Sequence, residues 1–269
     1  MSDPREELRA LTRETRVMLE RERDRGRVRF VFPDQPMQPP GAVHAAPAVP
    51  GTALTLPGFE PVAPANPTFA PPPSPTLAAR EDLPDDLGTL ARLVSECRKC
   101  GLCETRTNTV FADGSPKAKL VFIGEAPGRD EDLKGLPFVG RAGQLLDKMI
   151  TAIDLKRDEV YICNILKCRP PENRTPAPNE VEQCLPYLEQ QLALVKPSLI
   201  CALGLSAAQA LLKTKSSMAS LRGRTFEYRG IPLIPTYHPA ALLRNPALKR
   251  EAWEDMQRVR DTLKARTAS

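Results

Sequence analysis

Cys97 and Cys100, in the string ECRKCGLCETRT, form a Cys-x2-Cys pair, the tightest bite that two thiolates from one loop offer a metal centre. Taken alone, the pair suits zinc and an iron-sulfur cluster equally. Cys168 and Cys184 are separated by fifteen residues, the first in an Arg-Pro-Pro loop and the second at the start of a helix-like segment. A zinc ribbon repeats the short bite, so the wide second pair favours a four-thiolate cluster site over zinc. Cys103 extends the first pair to Cys-x2-Cys-x2-Cys, superficially like a bacterial ferredoxin run but without its completing Cys-Pro, and reads as a spare thiol. Cys163 and Cys201 lie inside apolar runs and read as small buried hydrophobes. Two further features stand out: a glycine-rich GEAPG turn, and His238 before Pro239, the other histidine of the chain being His44.

The elements that must position these residues alternate. KLVFIG (119–124), VYICNIL (160–166), SLICALG (198–204) and IPLIPTY (231–237) are short, β-branched and apolar on both faces, as buried parallel strands are. Between them, 140–153, 179–195 and 206–213 carry helical spacing, and 247–264 closes the pattern. In 179–195, Val181, Cys184, Leu185, Leu188, Leu192 and Val195 share a face; Asn179 with Glu182 predicts a capping box, and Pro186 a kink in the first turn. Strand-helix alternation predicts a three-layer α/β/α fold with a four-stranded, mainly parallel, doubly wound sheet. Ligands of such folds bind beyond the carboxyl ends of the strands. There the polar segments fall: GEAPGRDED, Asn164 with KCRPPENR, and YHPAALLR.

Composition divides the chain. Residues 1–30 predict a charged helical arm with a thin stripe of Leu8, Leu11, Val17 and Leu19, either solvated or docking an unidentified protein. Residues 31–84 hold about half of the 29 prolines with almost no charge before Arg80, a Pro/Ala-rich disordered linker. Residues 85–265 are left for one domain. The net charge of +5 suits a polyanionic partner without demanding one. No stretch is apolar enough for a membrane span or a signal-peptide core, so a cytoplasmic protein is expected, and cysteines there serve better as metal ligands or core than as disulfides.

ECRKCGLCETRT, GEAPGRDEDLKGLPFVGRAGQLLD, YICNILKCRPPENRTP, the helix bearing Cys184, and TYHPAALLR, in that order over about 90–264, resemble the family 4, iron-sulfur uracil-DNA glycosylases. The resemblance implies a monomeric repair enzyme that flips uracil out of single- or double-stranded DNA and hydrolyses its N-glycosidic bond. It also implies a structural 4Fe-4S cluster on Cys97, Cys100, Cys168 and Cys184, with Cys103 outside the ligand pattern.

Chemistry then suggests roles. Uracil leaves as an anion, so donors must face a uracil carbonyl oxygen; His238 resembles the family's leaving-group histidine. Asn164 can accept from uracil N3–H and donate to O4, the reverse of what cytosine presents. Phe138 resembles the aromatic that stacks on the flipped ring, and Glu131 matches a position that guards C5 against thymine. Gly124, Ala126 and Gly128 let backbone approach the base or a phosphate. No general base is evident; Asn173 and, less strongly, Glu125 are candidates to orient water. Leu242 could wedge into the gap left by the base, and Arg244, Arg141 and Arg169 could meet phosphates. Competing readings are an iron-sulfur redox or sensor protein, a relative that traps uracil-DNA covalently through an extra histidine which KCRPPENRTP lacks, and a non-catalytic nucleic-acid binder.

Overall fold

The computed structural model describes residues 82–267; the arm and nearly all of the linker lie outside the described residues. Within them, one mixed sheet of six strands has the order β1-β3-β2-β4-β6-β5. Its strands are β1 (Asp113–Gly114), β2 (Leu120–Gly124), β3 (Tyr161–Asn164), β4 (Leu199–Leu203), β5 (Phe226–Tyr228) and β6 (Ile231–Thr236). The four apolar runs are β2, β3, β4 and β6, which pair parallel to one another in the order β3-β2-β4-β6. The sheet is wider than predicted because β1 and β5 pair antiparallel on its two edges. These edges are two and three residues long, too short to show an alternating pattern in sequence.

Eight α-helices occur among the described residues: α1 (Leu87–Ser95), α2 (Arg129–Lys134), α3 (Arg141–Thr151), α4 (Pro178–Val195), α5 (Leu205–Leu212), α6 (Met218–Leu221), α7 (Pro239–Arg244) and α8 (Lys249–Thr267). The core has two faces, as the side-chain alternation of buried strands requires. Val121, Ile123, Cys163, Ile200, Ala202 and Leu233 pack with Leu188 and Leu192 of α4 and Leu211 of α5. Leu120, Phe122, Ile162, Cys201 and Ile234 pack instead with Leu146 and Ile150 of α3 and Met256 of α8. Burying these wholly apolar strands on both sides drives the three-layer arrangement, at about 25 cal/mol for each Å² removed from water.

Helix α4 begins earlier than its predicted cap. Pro178 takes its first position, and Glu180, not Glu182, turns back to accept the Ala177 N–H at 2.8 Å. Arg174 pairs with both oxygens of Glu180, which holds that carboxyl below its ordinary range and ties the RPPENR loop to the helix start. Pro186 consequently falls well beyond the first turn, inside a helix that continues to Val195.

Candidate active site

Gly124 and Asn164 end β2 and β3 opposite each other in register. A Cβ on Gly124 would run into Asn164 Oδ1 and stand 2.7 and 2.9 Å from two ring carbons of Phe138. Glycine is therefore required there: the missing side chain leaves Phe138 and Asn164 to close on the same space. The Phe138 ring lies 5.5 Å from the imidazole of His238. Segments following β2, β3 and β6 thus converge at the carboxyl edge of the sheet. Asn164 is 1% exposed, and its Oδ1 has no hydrogen-bond partner. Leaving such an acceptor buried and unpaired costs roughly 1–3 kcal/mol, a cost a ligand N–H removes.

The Phe138 loop is clamped from several sides. Phe138 itself adopts φ +53°, a left-handed conformation that costs a bulky residue about 1–3 kcal/mol and persists only where neighbours impose it. Those neighbours are identifiable. Arg157 donates to the carbonyls of Pro137 and Phe138 at 2.6 and 3.2 Å while pairing with Asp113 and Asp147 at 2.7 Å each. Glu131 accepts the N–H groups of Val139, Gly140 and Gly128 at 2.9, 3.0 and 3.1 Å. Gly143, in the first turn of α3, has no side chain to strike the Phe138 carbonyl. Arg157 and Gly143 escaped the sequence reading because each acts through a close approach that no local spacing encodes.

His238 caps α7, its Nδ1 accepting the Ala240 N–H at 3.1 Å. That bond assigns the ring proton of the neutral form to Nε2. Burial first, then the charge of Arg244, push its pKa down to about 4 against the opposing pull of Glu131. Gly204, at φ +92°, leaves room for the ring, since a Cβ there would sit 2.9 Å from His238 Cβ. Behind the histidine, Thr236 donates to the fully buried Asp255 at 3.0 Å, which also accepts from Arg222 at 3.3 Å and the Gly223 N–H at 3.2 Å, anchoring the end of β6 to α8.

Other expected residues fall in different places. Leu242 is 2% exposed and part of the interior; on α7 the exposed apolar side chain is Leu243, at 38%. Helical geometry turns adjacent residues about 100° apart, so the wedge expected of Leu242 faces inward and its neighbour outward. Asn173 sits in an exposed 3₁₀ turn (Pro171–Asn173), its Oδ1 taken by Arg169 Nε at 2.7 Å. Glu125 directly follows Gly124 and is partly buried, as is Ala126. Glu131, expected to guard uracil C5, has both oxygens engaged with backbone, so the geometry supports a scaffolding role for it. Arg141 begins α3 and Arg244 ends α7, both exposed near the pocket loops.

Cys97, Cys100, Cys103, Cys168 and Cys184 line a second pocket together with Arg106, Lys167 and Tyr187. Burial pushes the Cys184 thiol up to about 12 and also raises Cys100 and Cys168, so thiolates there require a cationic centre to draw them out. Donors stand ready for them. Arg106 reaches Cys168 Sγ at 3.1 Å, the Tyr187 hydroxyl reaches Cys97 Sγ at 3.3 Å, and the Lys167 N–H reaches Cys184 Sγ at 3.3 Å. Among the described residues no group of three or more His, Cys, Asp or Glu stands in an arrangement that could hold a metal ion.

An α/β sheet whose strand-end loops bring Gly124, Phe138, Asn164 and His238 together at its carboxyl edge is thus the class that fold and site define, and residues 111–257 match the model of the uracil DNA glycosylase superfamily. The chain is 45% identical over 183 residues to the type-4 uracil-DNA glycosylase of Archaeoglobus fulgidus, covering 65% of this chain and 92% of that protein. It is 42% identical over 186 residues to the type-4 enzyme of Sulfurisphaera tokodaii, covering 66% and 84%. To a type-5 uracil-DNA glycosylase of Pyrobaculum aerophilum it is 32% identical over 146 residues. The chain belongs to the uracil DNA glycosylase superfamily and, within it, to the type-4 uracil-DNA glycosylases.

Proposed function

We propose that this protein acts in DNA repair, accepting uracil flipped out of DNA and hydrolysing its N-glycosidic bond to leave an abasic site. The observation that carries the reading is the orphaned, buried Oδ1 of Asn164 beside Phe138. Uracil N3–H satisfies that acceptor, and the amide NH2 matches O4; cytosine would set acceptor against acceptor. One such mismatch discriminates by about 1–3 kcal/mol. Phe138 stacks on the ring. Neutral His238 donates from Nε2 to a uracil carbonyl oxygen as the base takes up negative charge, a contribution of about 10²–10³ in rate for donors of this kind. Glu125, adjoining Gly124, orients the attacking water in this reading, since Asn173 already holds Arg169. Arg141 and Arg244 meet phosphates, and the substrate is uracil-containing DNA.

The cysteine pocket fits a 4Fe-4S cluster held by Cys97, Cys100, Cys168 and Cys184, leaving Cys103 as the spare thiol. When bound, the cluster supplies a cross-link between the segment after α1, the loop after β3 and helix α4; base release itself consumes no electron. Arg106, Tyr187 and the Lys167 N–H donate to three of the four sulfurs.

The test is incubation with oligonucleotides containing a single uracil or thymine, followed by alkaline cleavage. Strand breaks at uracil and none at thymine are expected. An intact uracil strand with protein that is brown and contains iron and acid-labile sulfide in equal amounts would contradict the enzymatic reading.

A further inference from the structure

Lys167 is 1% exposed, among the largest side chains the protein buries completely. Among the described residues no carboxylate forms an ion pair with it. A lone ammonium so enclosed carries a desolvation cost that folds do not bear without a compensating charge. Its surroundings point in two directions. On one side the residue lines the pocket of Cys97, Cys100, Cys168 and Cys184, where its backbone N–H donates to Cys184 Sγ at 3.3 Å. On the other, its Nζ donates to the backbone carbonyl of Asn164 at 2.7 Å. The Phe111 ring centroid lies 6.0 Å from Nζ, and the buried Cys163 thiol is a further neighbour of the ammonium.

The two sites joined in this way lie over opposite faces of the sheet. Cys100, Cys168 and Cys184 belong to the core of α4 and α5, whereas Phe138 belongs to the core of α3 and α8. Asn164 is the last residue of β3, so its carbonyl points beyond the ladder and needs a donor from outside the sheet. Lys167 is that donor. Four thiolates around a cluster core carry a net negative charge and would supply the counter-charge that no carboxylate provides.

We propose that Lys167 is a positioning residue through which the four-cysteine centre sets uracil recognition: its ammonium, compensated by the thiolates on one side, fixes on the other the main chain of the asparagine that reads the base. The inference rests on the proposed uracil pocket and four-cysteine cluster. It assigns the centre a part in base selection beyond cross-linking, and it makes Lys167 a tuning charge for the cluster.

The experiment uses the full chain with its cluster assembled anaerobically, as wild type, Lys167→Met and Lys167→Gln. Two quantities are read: the midpoint potential of the cluster, by electron-paramagnetic-resonance titration, and the dissociation constant of free uracil, by calorimetry. Removing a buried cation beside the centre moves the potential negative in both variants. Loss of the donor to Asn164 weakens uracil binding by about three- to tenfold in Lys167→Met, the factor of one ordinary hydrogen bond. A merely structural lysine would leave the potential where it was. Potential and uracil affinity both at wild-type values overturn the proposal, as does a loss of affinity with an unmoved potential. Should Lys167→Met not accumulate as folded protein, a wild-type potential in Lys167→Gln is sufficient to overturn it. Wild-type protein that neither binds nor releases uracil would instead remove the functional reading on which the coupling stands.

Discussion

A donor that helps a base leave as an anion works best if it neither gains nor loses a proton over the working range. His238 meets that condition: its Nδ1 is tied to Ala240, and burial holds its pKa near 4. The ring is therefore neutral through the range in which an ordinary histidine titrates. Single-turnover excision is expected to stay level as pH falls through about 6.5; a rate that halves there would contradict the assigned protonation state. The same shift makes the fold acid-sensitive. An unfolded histidine takes up its proton near 6.5 and the folded one only near 4, so stability declines as pH falls across that window and levels off below it. The meeting of Gly124, Asn164 and His238 at one edge was expected from polar segments that follow parallel strands, whereas the roles expected of Phe138 and His238 rested on the family resemblance. What stayed hidden is the work of Glu131, whose oxygens are committed to backbone amides, and the outward turn of Leu243 in place of Leu242. Spacing reports which residues are near in chain, not which side of a short helix faces solvent.

At the scale of elements, the long periodic segments were readable and the short ones were not. Helices α3, α4, α5 and α8 showed their buried stripes, whereas α2 and α7, six residues each, offer too few positions for a period to emerge. Yet these short pieces carry the site, and they are held by single residues of high connectivity. Arg157 is the chief of these, bonding two loop carbonyls and two carboxylates at once. Arg157→Ala is expected to lower stability by about 1–3 kcal/mol in urea denaturation, by releasing a strained loop and leaving its carbonyls without donors. Its excision rate should fall with it. Arg141→Ala, an exposed position, should unfold at the wild-type midpoint; equal midpoints for all three proteins would show that the clamp carries nothing.

Taken as a whole molecule, the chain places two chemically distinct centres on one sheet. Phe138 packs on the α3/α8 side and the cysteine pocket lies over the α4 side, with Asn164 and Cys168 both inside one buried stretch. The matched superfamily region begins at residue 111, so Cys97, Cys100 and Cys103 precede it. The ligand role expected of Cys97 and Cys100 rested on the Cys-x2-Cys bite and on the family resemblance, with Cys103 read as spare. The three-layer fold followed from four apolar runs; its two edge strands did not. The account as a whole depends on Asn164 Oδ1 being an acceptor kept open for a base. The most direct measurement is a crystal structure of the protein soaked with free uracil. Uracil N3 should lie about 2.7–3.2 Å from Asn164 Oδ1, with the ring against Phe138 and a carbonyl oxygen facing His238 Nε2. Uracil bound elsewhere, or Oδ1 still without a partner in the occupied pocket, would contradict it.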